Sequence, residues 1–111
     1  MSPDRTRLPD RIRALLAAKS PTREVPMFGG LSFMVNEKMV ASVRSDGDLL
    51  VRVDPERSYE LVTRDGARPA EMGAGRAMGA GWIDVAEEAI ATHEQLSFWI
   101  EVALEYNEVS Q

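Results

Sequence analysis

Residues 31–53 read LSFMVNEKMVASVRSDGDLLVRV and predict a run of adjacent antiparallel strands. In 38–43 and 49–53 the side chains alternate with a period of two, as expected for strands that bury one face of a sheet. The pairs Asn36-Glu37 and Asp46-Gly47 separate these segments, and Asn and Gly suit the positive φ values of tight hairpin turns. We therefore predict three strands joined by short turns, namely Leu31–Val35, Lys38–Val43 and Leu49–Val53.

Upstream of this stretch, the sequence predicts a further strand at Val25–Phe28 and an N-terminal helix at Arg7–Lys19. Ser20-Pro21 ends the helix, because the residue before a proline is pushed away from helical geometry. Apolar residues at three- and four-residue spacing give the helix one buried stripe, formed by Leu8, Ile12, Leu15 and Leu16.

Downstream, the sequence predicts a short helix, a strand and a long final helix. Asp54-Pro55 is typical of a helix start, because Asp caps the N-terminus and Pro suits the first helical position, and Asp65-Gly66 closes this helix. A last strand is predicted at Trp82–Val85. Thr92 and Gln95 have the spacing of a capping box, which marks the start of the final helix. That helix buries a stripe formed by Leu96, Trp99, Ile100 and Ala103, widened by Phe98 and Val102.

This order of elements predicts a single α+β domain spanning residues 1–111. Because the strands come in hairpins and do not alternate regularly with helices, a doubly wound parallel fold is excluded. We expect an antiparallel sheet of about four to five strands, with helices packed on one face and with the N- and C-terminal helices flanking it. The composition, 44% hydrophobic and 28% charged, is close to that of globular domains, so one core suffices.

Charge and residue usage restrict the functional classes. The formal net charge of −5 disfavours direct nucleic-acid binding. The apolar stretches are shorter than a membrane span, and the N-terminus has no apolar run like that of a signal peptide. The absence of cysteine fits a cytoplasmic protein. One basic cluster is typical of a solvated helix surface, namely Arg5, Arg7, Arg11 and Arg13.

The sequence offers little to support catalysis. His93 is the only histidine, and nucleophilic catalysis needs a base that a third group orients. We interpret His93 as an exposed polar residue in the first turn of the last helix. The adjacent pair Glu87-Glu88 lacks the alternating acidic spacing of an EF-hand. We therefore expect a protein that is not an enzyme, with no catalytic residues, cofactor or metal.

Two consecutive glycines, Gly29 and Gly30, stand between apolar strand residues. They indicate a bulge, a tight bend or a close approach of two backbones. The favoured interpretation is a backbone requirement. The alternative is an interaction surface that includes Phe28, Gly29 and Gly30, since a Met-rich surface can form an adaptable binding face.

A second glycine-rich segment, residues 73–81, reads GAGRAMGAG. Its glycines do not form a dinucleotide fingerprint, and no Gly-Lys-Ser or Gly-Lys-Thr follows. One interpretation is a flexible connection, since glycine often marks turns. The alternative is a small-ligand or anion-binding module in which Arg76 holds an anion by a charge-assisted hydrogen bond, with Trp82 directly after the segment as a further candidate.

An ordered set of segments resembles the N-terminal domain of the TfoX/Sxy family. The segments are Met27–Leu31, Phe33–Val35, Lys38-Met39, Leu49–Val53, Gly81-Trp82 and Phe98–Ile100, and the resemblance extends from about Ile12 to Tyr106. Members include bacterial regulators of natural competence, which act with a cyclic-AMP-responsive transcription factor at promoters, and many small stand-alone proteins. The resemblance implies an α+β fold, no enzymatic activity and a regulatory or protein-interaction role with a protein partner in transcription regulation.

The chain departs from the longer regulators in two ways. They carry a second, C-terminal helical domain, whereas this chain ends at Gln111, so we do not expect their promoter function to transfer unchanged. Relatives tend to have Asp-Gly where this chain has Asn36-Glu37, and Glu tolerates positive φ less readily, which leaves this turn open to a different geometry. A homodimer is a candidate assembly that the sequence does not decide, because symmetric pairs are common and a sheet of this size can leave an edge or face to cover.

Overall fold

A six-stranded antiparallel sheet forms the centre of the fold, in a computed structural model that describes residues 8–18, 22–27, 30–44, 47–71 and 78–109. The strands are β1 (Arg23–Met27), β2 (Gly30–Val35), β3 (Lys38–Val43), β4 (Leu49–Arg52), β5 (Ala67–Pro69) and β6 (Trp82–Val85). Their order across the sheet is β1-β2-β3-β4-β6-β5. The predicted α+β class is confirmed, with slightly more strands than expected.

Three helices complete the described part of the chain: α1 (Leu8–Ala17), α2 (Ser58–Leu61) and α3 (His93–Val109). Short 3-10 turns precede α2 and α3, at Pro55–Arg57 and Glu87–Ile90. α3 packs against β3, β4 and α1, so the terminal helices share one face of the sheet, as predicted. Among the described residues, no helix is both long and apolar enough to cross a membrane.

The core lies between the helices and the inner face of the sheet. Directly opposed residues share a face, and the row that runs across four neighbouring strands is fully buried. The row consists of Phe33, Ala41, Val51 and Ile83. Helical side chains close the core from above, and the predicted apolar stripes supply them, namely Ile12, Leu16, Leu96, Trp99, Ile100 and Ala103.

The outer face of the sheet is buried along one row as well. Ser32 lies opposite Ser42, Ser42 opposite Leu50, and Leu50 opposite Asp84, and all four are buried. The Ser32 hydroxyl donates to the Ser42 hydroxyl at 3.0 Å. This bond offsets the free energy that is needed to remove the two hydroxyls from water. Arg44 lies near this row, with its Nη1 3.5 Å from Asp84 Oδ1 and its Nη2 donating to Glu71 O at 2.8 Å. Leu50 thus belongs to a second buried row, although it alternates with the core-facing residues of β4.

Strand β5 is the element that the sequence does not predict. It pairs with β6 at an edge of the sheet, with Pro69 opposite Ile83. The segment Ala67–Pro69 shows no apolar alternation, and its proline argues against a central strand but is tolerated at an edge. The other edge strand, β1, contains Pro26. A proline in each edge strand removes a hydrogen-bond donor and so disfavours edge-to-edge pairing between molecules.

The predicted turn and cap residues that the structure describes adopt the expected roles, although the helix predicted after Asp54 is shorter. Ser20, Pro21 and Asp46 lie outside the described residues. The Asp54 side chain caps the 3-10 turn by accepting from Glu56 N–H at 2.9 Å. α2 then ends at Leu61, and Gly66 follows with a φ of +77°. Asn36 and Glu37 form the two-residue loop between β2 and β3, and both have positive φ, 54° and 65°. The hairpin thus keeps the geometry of an Asn-Gly or Asp-Gly turn despite its glutamate.

Candidate interaction surface

Of the residues singled out in the sequence, the two that the structure describes, Gly30 and Trp82, lie apart. Phe28, Gly29 and Arg76 lie outside the described residues. Gly30 begins β2 and Trp82 begins β6, and strands β3 and β4 separate them in the sheet. The two described residues must therefore be considered separately.

Gly30 is required by the close approach of two backbones. A Cβ atom at this position would stand 2.0 Å from the carbonyl oxygen of Val43 on the neighbouring strand. Since no Cβ tolerates such a distance, only glycine fits. The interpretation of Gly30 as a backbone requirement is confirmed.

Trp82 belongs to a cluster of two aromatic rings around one arginine. Arg52 on β4 lies directly opposite Trp82 on β6, and its guanidinium carbon is 5.5 Å from the centroid of the Trp82 ring. The same carbon is 5.5 Å from the ring of Tyr106, near the end of α3. All three side chains are partly exposed. We call these three residues, Trp82, Arg52 and Tyr106, the aromatic cluster.

Rigid elements position the aromatic cluster. Arg52 and Trp82 are held by the β4–β6 pairing, and Val53 N–H donates to Gly81 O at 2.8 Å just beyond it. Gly79, with a φ of +112°, forms a turn in which Trp82 N–H donates to Gly79 O at 3.2 Å. The last glycines before Trp82 therefore make a fixed connection into β6.

The sequence identifies Trp82 but neither of its partners. Arg52 alternates with Leu49 and Val51 like any outward-facing strand residue. Tyr106 follows the buried stripe of the last helix, and no local pattern marks it as a binding residue. The signal that joins them is the β4–β6 pairing, which local patterns do not contain. A prediction of the strand order that made β4 and β6 neighbours would have placed Arg52 beside Trp82.

The described arginines of the N-terminal basic cluster are engaged within the molecule. Arg11 Nη2 donates to three backbone oxygens at the end of the turn before α3, including Ile90 O at 3.0 Å. Arg13 pairs with Asp10 and with Glu24, where Arg13 Nη2 donates to Glu24 Oε1 at 2.8 Å. The hydrogen bonds and charge of Arg13 lower the pKa of Glu24, against the opposing effect of desolvation. Arg5 and Arg7 lie outside the described residues.

His93 lies in the exposed first turn of α3, as predicted. Its Nε2 is 3.3 Å from the Ser97 hydroxyl, one helical turn along. Within the part of the chain that the structure describes, no other side chain is hydrogen-bonded to His93. Within the described ranges, no group of three or more His, Cys, Asp or Glu residues is placed to hold a metal ion.

Comparison with known proteins identifies one family. The family model described as the TfoX N-terminal domain matches residues 14–106 of the chain. The search of curated proteins gives no match.

Proposed function

We propose that this chain, which belongs to the TfoX N-terminal domain family, is a non-enzymatic regulatory domain that acts by binding another protein through the aromatic cluster. The single observation that carries the proposal is the arrangement of Trp82, Arg52 and Tyr106 on the surface. Family membership supports the regulatory part, since the family includes competence regulators that act together with a transcription factor.

The composition of the aromatic cluster favours protein binding. Trp, Tyr and Arg are the residue types that dominate the energetics of protein interfaces. Here the guanidinium lies within cation–π distance of both rings, so a partner would meet side chains whose conformational freedom is already reduced. Part of each side chain remains accessible for a further contact.

The partner that we propose is a cytoplasmic protein of the transcription machinery. The longer members of the family act at promoters with a cyclic-AMP-responsive factor, which supports a protein partner of this kind for the present chain. The negative net charge supports contact with a protein in preference to DNA. The position of His93 on an exposed helical turn supports the non-enzymatic part of the proposal.

Affinity capture from the native cytosol tests the proposal. The bait proteins are the wild type, Trp82→Ala and Tyr59→Ala, and mass spectrometry identifies what they retain. Tyr59 is the matched control, because it is aromatic and 79% exposed but lies outside the aromatic cluster. Thermal melting first establishes that all three proteins are folded.

We expect the wild type and Tyr59→Ala to retain the same transcription factor, and Trp82→Ala to retain about tenfold less, as for an interface hot spot. Equal retention by Trp82→Ala would remove the aromatic cluster from the interface. Light scattering of the purified wild type accompanies the capture. If only the chain itself is retained, as a stable dimer, promoter regulation is abandoned in favour of self-association.

A further inference from the structure

A pocket of about 430 Å³ lies between the turn after α2 and the first turns of α3. Residues Thr63, Arg64 and Asp65 line one side, and Glu94, Phe98 and Trp99 line the other. The volume falls within the range of about 300–1,000 Å³ that is typical of small-molecule sites. The pocket shares no residue with the aromatic cluster.

The guanidinium of the exposed residue Arg64 lies over a ring that lines this pocket. Its guanidinium carbon lies 3.7 Å from the centroid of the Phe98 ring. Phe98 in turn packs edge-to-face with Trp99, with ring centroids 5.1 Å apart, and Trp99 is only 2% exposed. Because the ring below it is anchored in the core, Arg64 is positioned before any ligand binds. Stacking leaves the N–H groups at the edge of the guanidinium able to donate.

The lining of the pocket also carries charges of both signs. Among the described residues, other arginines form ion pairs within 4.0 Å, such as Arg57 with Glu60 and Arg68 with Asp48. In the same part of the chain, neither Asp65 nor Glu94 forms such a pair with Arg64, although all three line one cavity. A ligand that carries both a carboxylate and an ammonium group would complement this arrangement.

We propose that this pocket binds a free α-amino acid with an apolar side chain. The Arg64 guanidinium holds the carboxylate by paired, charge-assisted N–H···O bonds. The carboxylates of Asp65 and Glu94 attract the ammonium group, and the apolar side chain lies against the accessible part of the Phe98 ring. The chain thereby gains a small-molecule site distinct from the proposed protein-binding surface.

Isothermal titration with L-leucine and L-phenylalanine tests the site, at concentrations up to about 10 mM to include weak binding. Two analogues separate the charges: L-phenylalaninamide lacks the carboxylate, and N-acetyl-L-phenylalanine lacks the ammonium. The proteins are the wild type, Arg64→Gln and Arg57→Gln. Arg57 is the matched control, because it is a nearby arginine that pairs with Glu60 and Glu105 outside the pocket.

We expect the wild type and Arg57→Gln to bind at least one of the two amino acids with the same affinity. Arg64→Gln and the amide analogue should each weaken binding by about tenfold or more, as loss of a charge-assisted hydrogen bond implies. The N-acetyl analogue should bind more weakly than L-phenylalanine. The proposal is wrong if the wild type binds neither amino acid, or if folded Arg64→Gln binds as well as the wild type.

Trp82→Ala separates this proposal from the protein-binding one. Because the aromatic cluster contributes nothing to the pocket, this variant should bind the amino acid with unchanged affinity. A loss of amino-acid binding in folded Trp82→Ala would contradict the assignment of the ligand to the Arg64 pocket.

Discussion

At the scale of single residues, steric requirements of the backbone set the strongest constraints. Gly30 fits because it has no Cβ, and Glu37 occupies a left-handed conformation that an L-residue with a side chain adopts only at a cost. The two positions lead to opposite expectations. Replacing Gly30 should destabilise the protein, whereas replacing Glu37 with glycine should stabilise it.

Gly30→Ala should reduce the free energy of unfolding by roughly 3 kcal/mol or prevent folding, because the new methyl group would collide with the Val43 carbonyl of the adjacent strand. Urea denaturation measures the loss. Gly81→Ala is the control, since its Cβ would meet Val53 O at 3.4 Å, an ordinary contact, and should change stability by less than about 1 kcal/mol. Equal effects of the two substitutions would contradict the close approach at Gly30.

Glu37→Gly should stabilise the protein by about 0.5–1 kcal/mol. Glycine relieves the left-handed strain of about 1–2 kcal/mol, less the conformational entropy that it loses on folding. Glu37→Gln is the control, because it removes the exposed ion pair with Arg23 and leaves the backbone strain, so it should change stability little. A lower denaturation midpoint for Glu37→Gly would show that the ion pair outweighs the backbone term.

At the scale of elements, local hydrogen bonds decide where helices begin and how they attach to the sheet. The capping box predicted for α3 is present: Thr92 N–H donates to Gln95 Oε1 at 2.9 Å, and Gln95 N–H donates to Thr92 Oγ1 at 3.1 Å. At the other end of α3, the buried Asn107 donates to Val35 O at 2.9 Å. The helix is therefore held at its start by its own sequence and at its end by the β2–β3 hairpin.

Thr92→Ala should lower the free energy of unfolding by about 1 kcal/mol, because the Gln95 N–H loses its acceptor at the exposed helix start. Thr92→Ser retains the hydroxyl and should keep most of the stability. Thermal or urea unfolding compares the three proteins. The cap contributes nothing if the alanine and serine variants unfold together.

Glu24 should make the attachment of α1 to β1 dependent on pH. Arg13 lowers the pKa of Glu24 in the folded protein below its ordinary value of 4.5, so the folded state binds this proton less readily than the unfolded state. The contribution to stability is therefore complete above the unfolded pKa and is lost as the pH falls through the lower, folded pKa. The stability difference between the wild type and Glu24→Gln should shrink as the pH is lowered through this window. A difference that is constant between neutral and strongly acidic pH would exclude this linkage.

At the scale of the whole molecule, a single core joins both terminal helices to the inner face of the sheet. Trp99 is the large aromatic residue of α3 in this core, and it also supports Phe98 beneath Arg64. The Trp99 side chain thus contributes both to the stability of the fold and to the proposed ligand site. The aromatic cluster lies outside this core, because its members are only partly buried.

Trp99→Ala should cost roughly 3–5 kcal/mol of unfolding free energy, the usual effect of removing a large buried side chain. Trp82→Ala is the matched control and should cost roughly 1 kcal/mol, because its partly exposed ring stacks on Arg52. Denaturant unfolding followed by circular dichroism measures both. A loss below about 1 kcal/mol for Trp99→Ala would place this side chain outside the core.

Short-range patterns in the sequence were sufficient for most of the elements, β5 excepted, and for most of the core. The alternation in β3 and β4, the spacing of Leu96, Trp99 and Ile100, and the Thr92–Gln95 pair each depend on residues only a few positions apart. The family could be identified for the same reason, from an ordered set of short segments. Such local geometry depends on the chemistry of neighbouring residues, so it can be predicted from the sequence.

The candidate sites depend instead on residues that are distant in the chain. Arg52 meets Trp82 and Tyr106 because β4 pairs with β6 and α3 packs over the sheet. The same holds for strand β5, for the burial of Leu50 and for the pocket that Arg64 lines. Each of them forms where segments distant in the sequence pack together. Burial and charge placement are properties of the packed chain, since they depend on what covers a side chain. For this reason, patterns along the sequence predicted the fold but did not predict the surfaces on which the proposed functions depend.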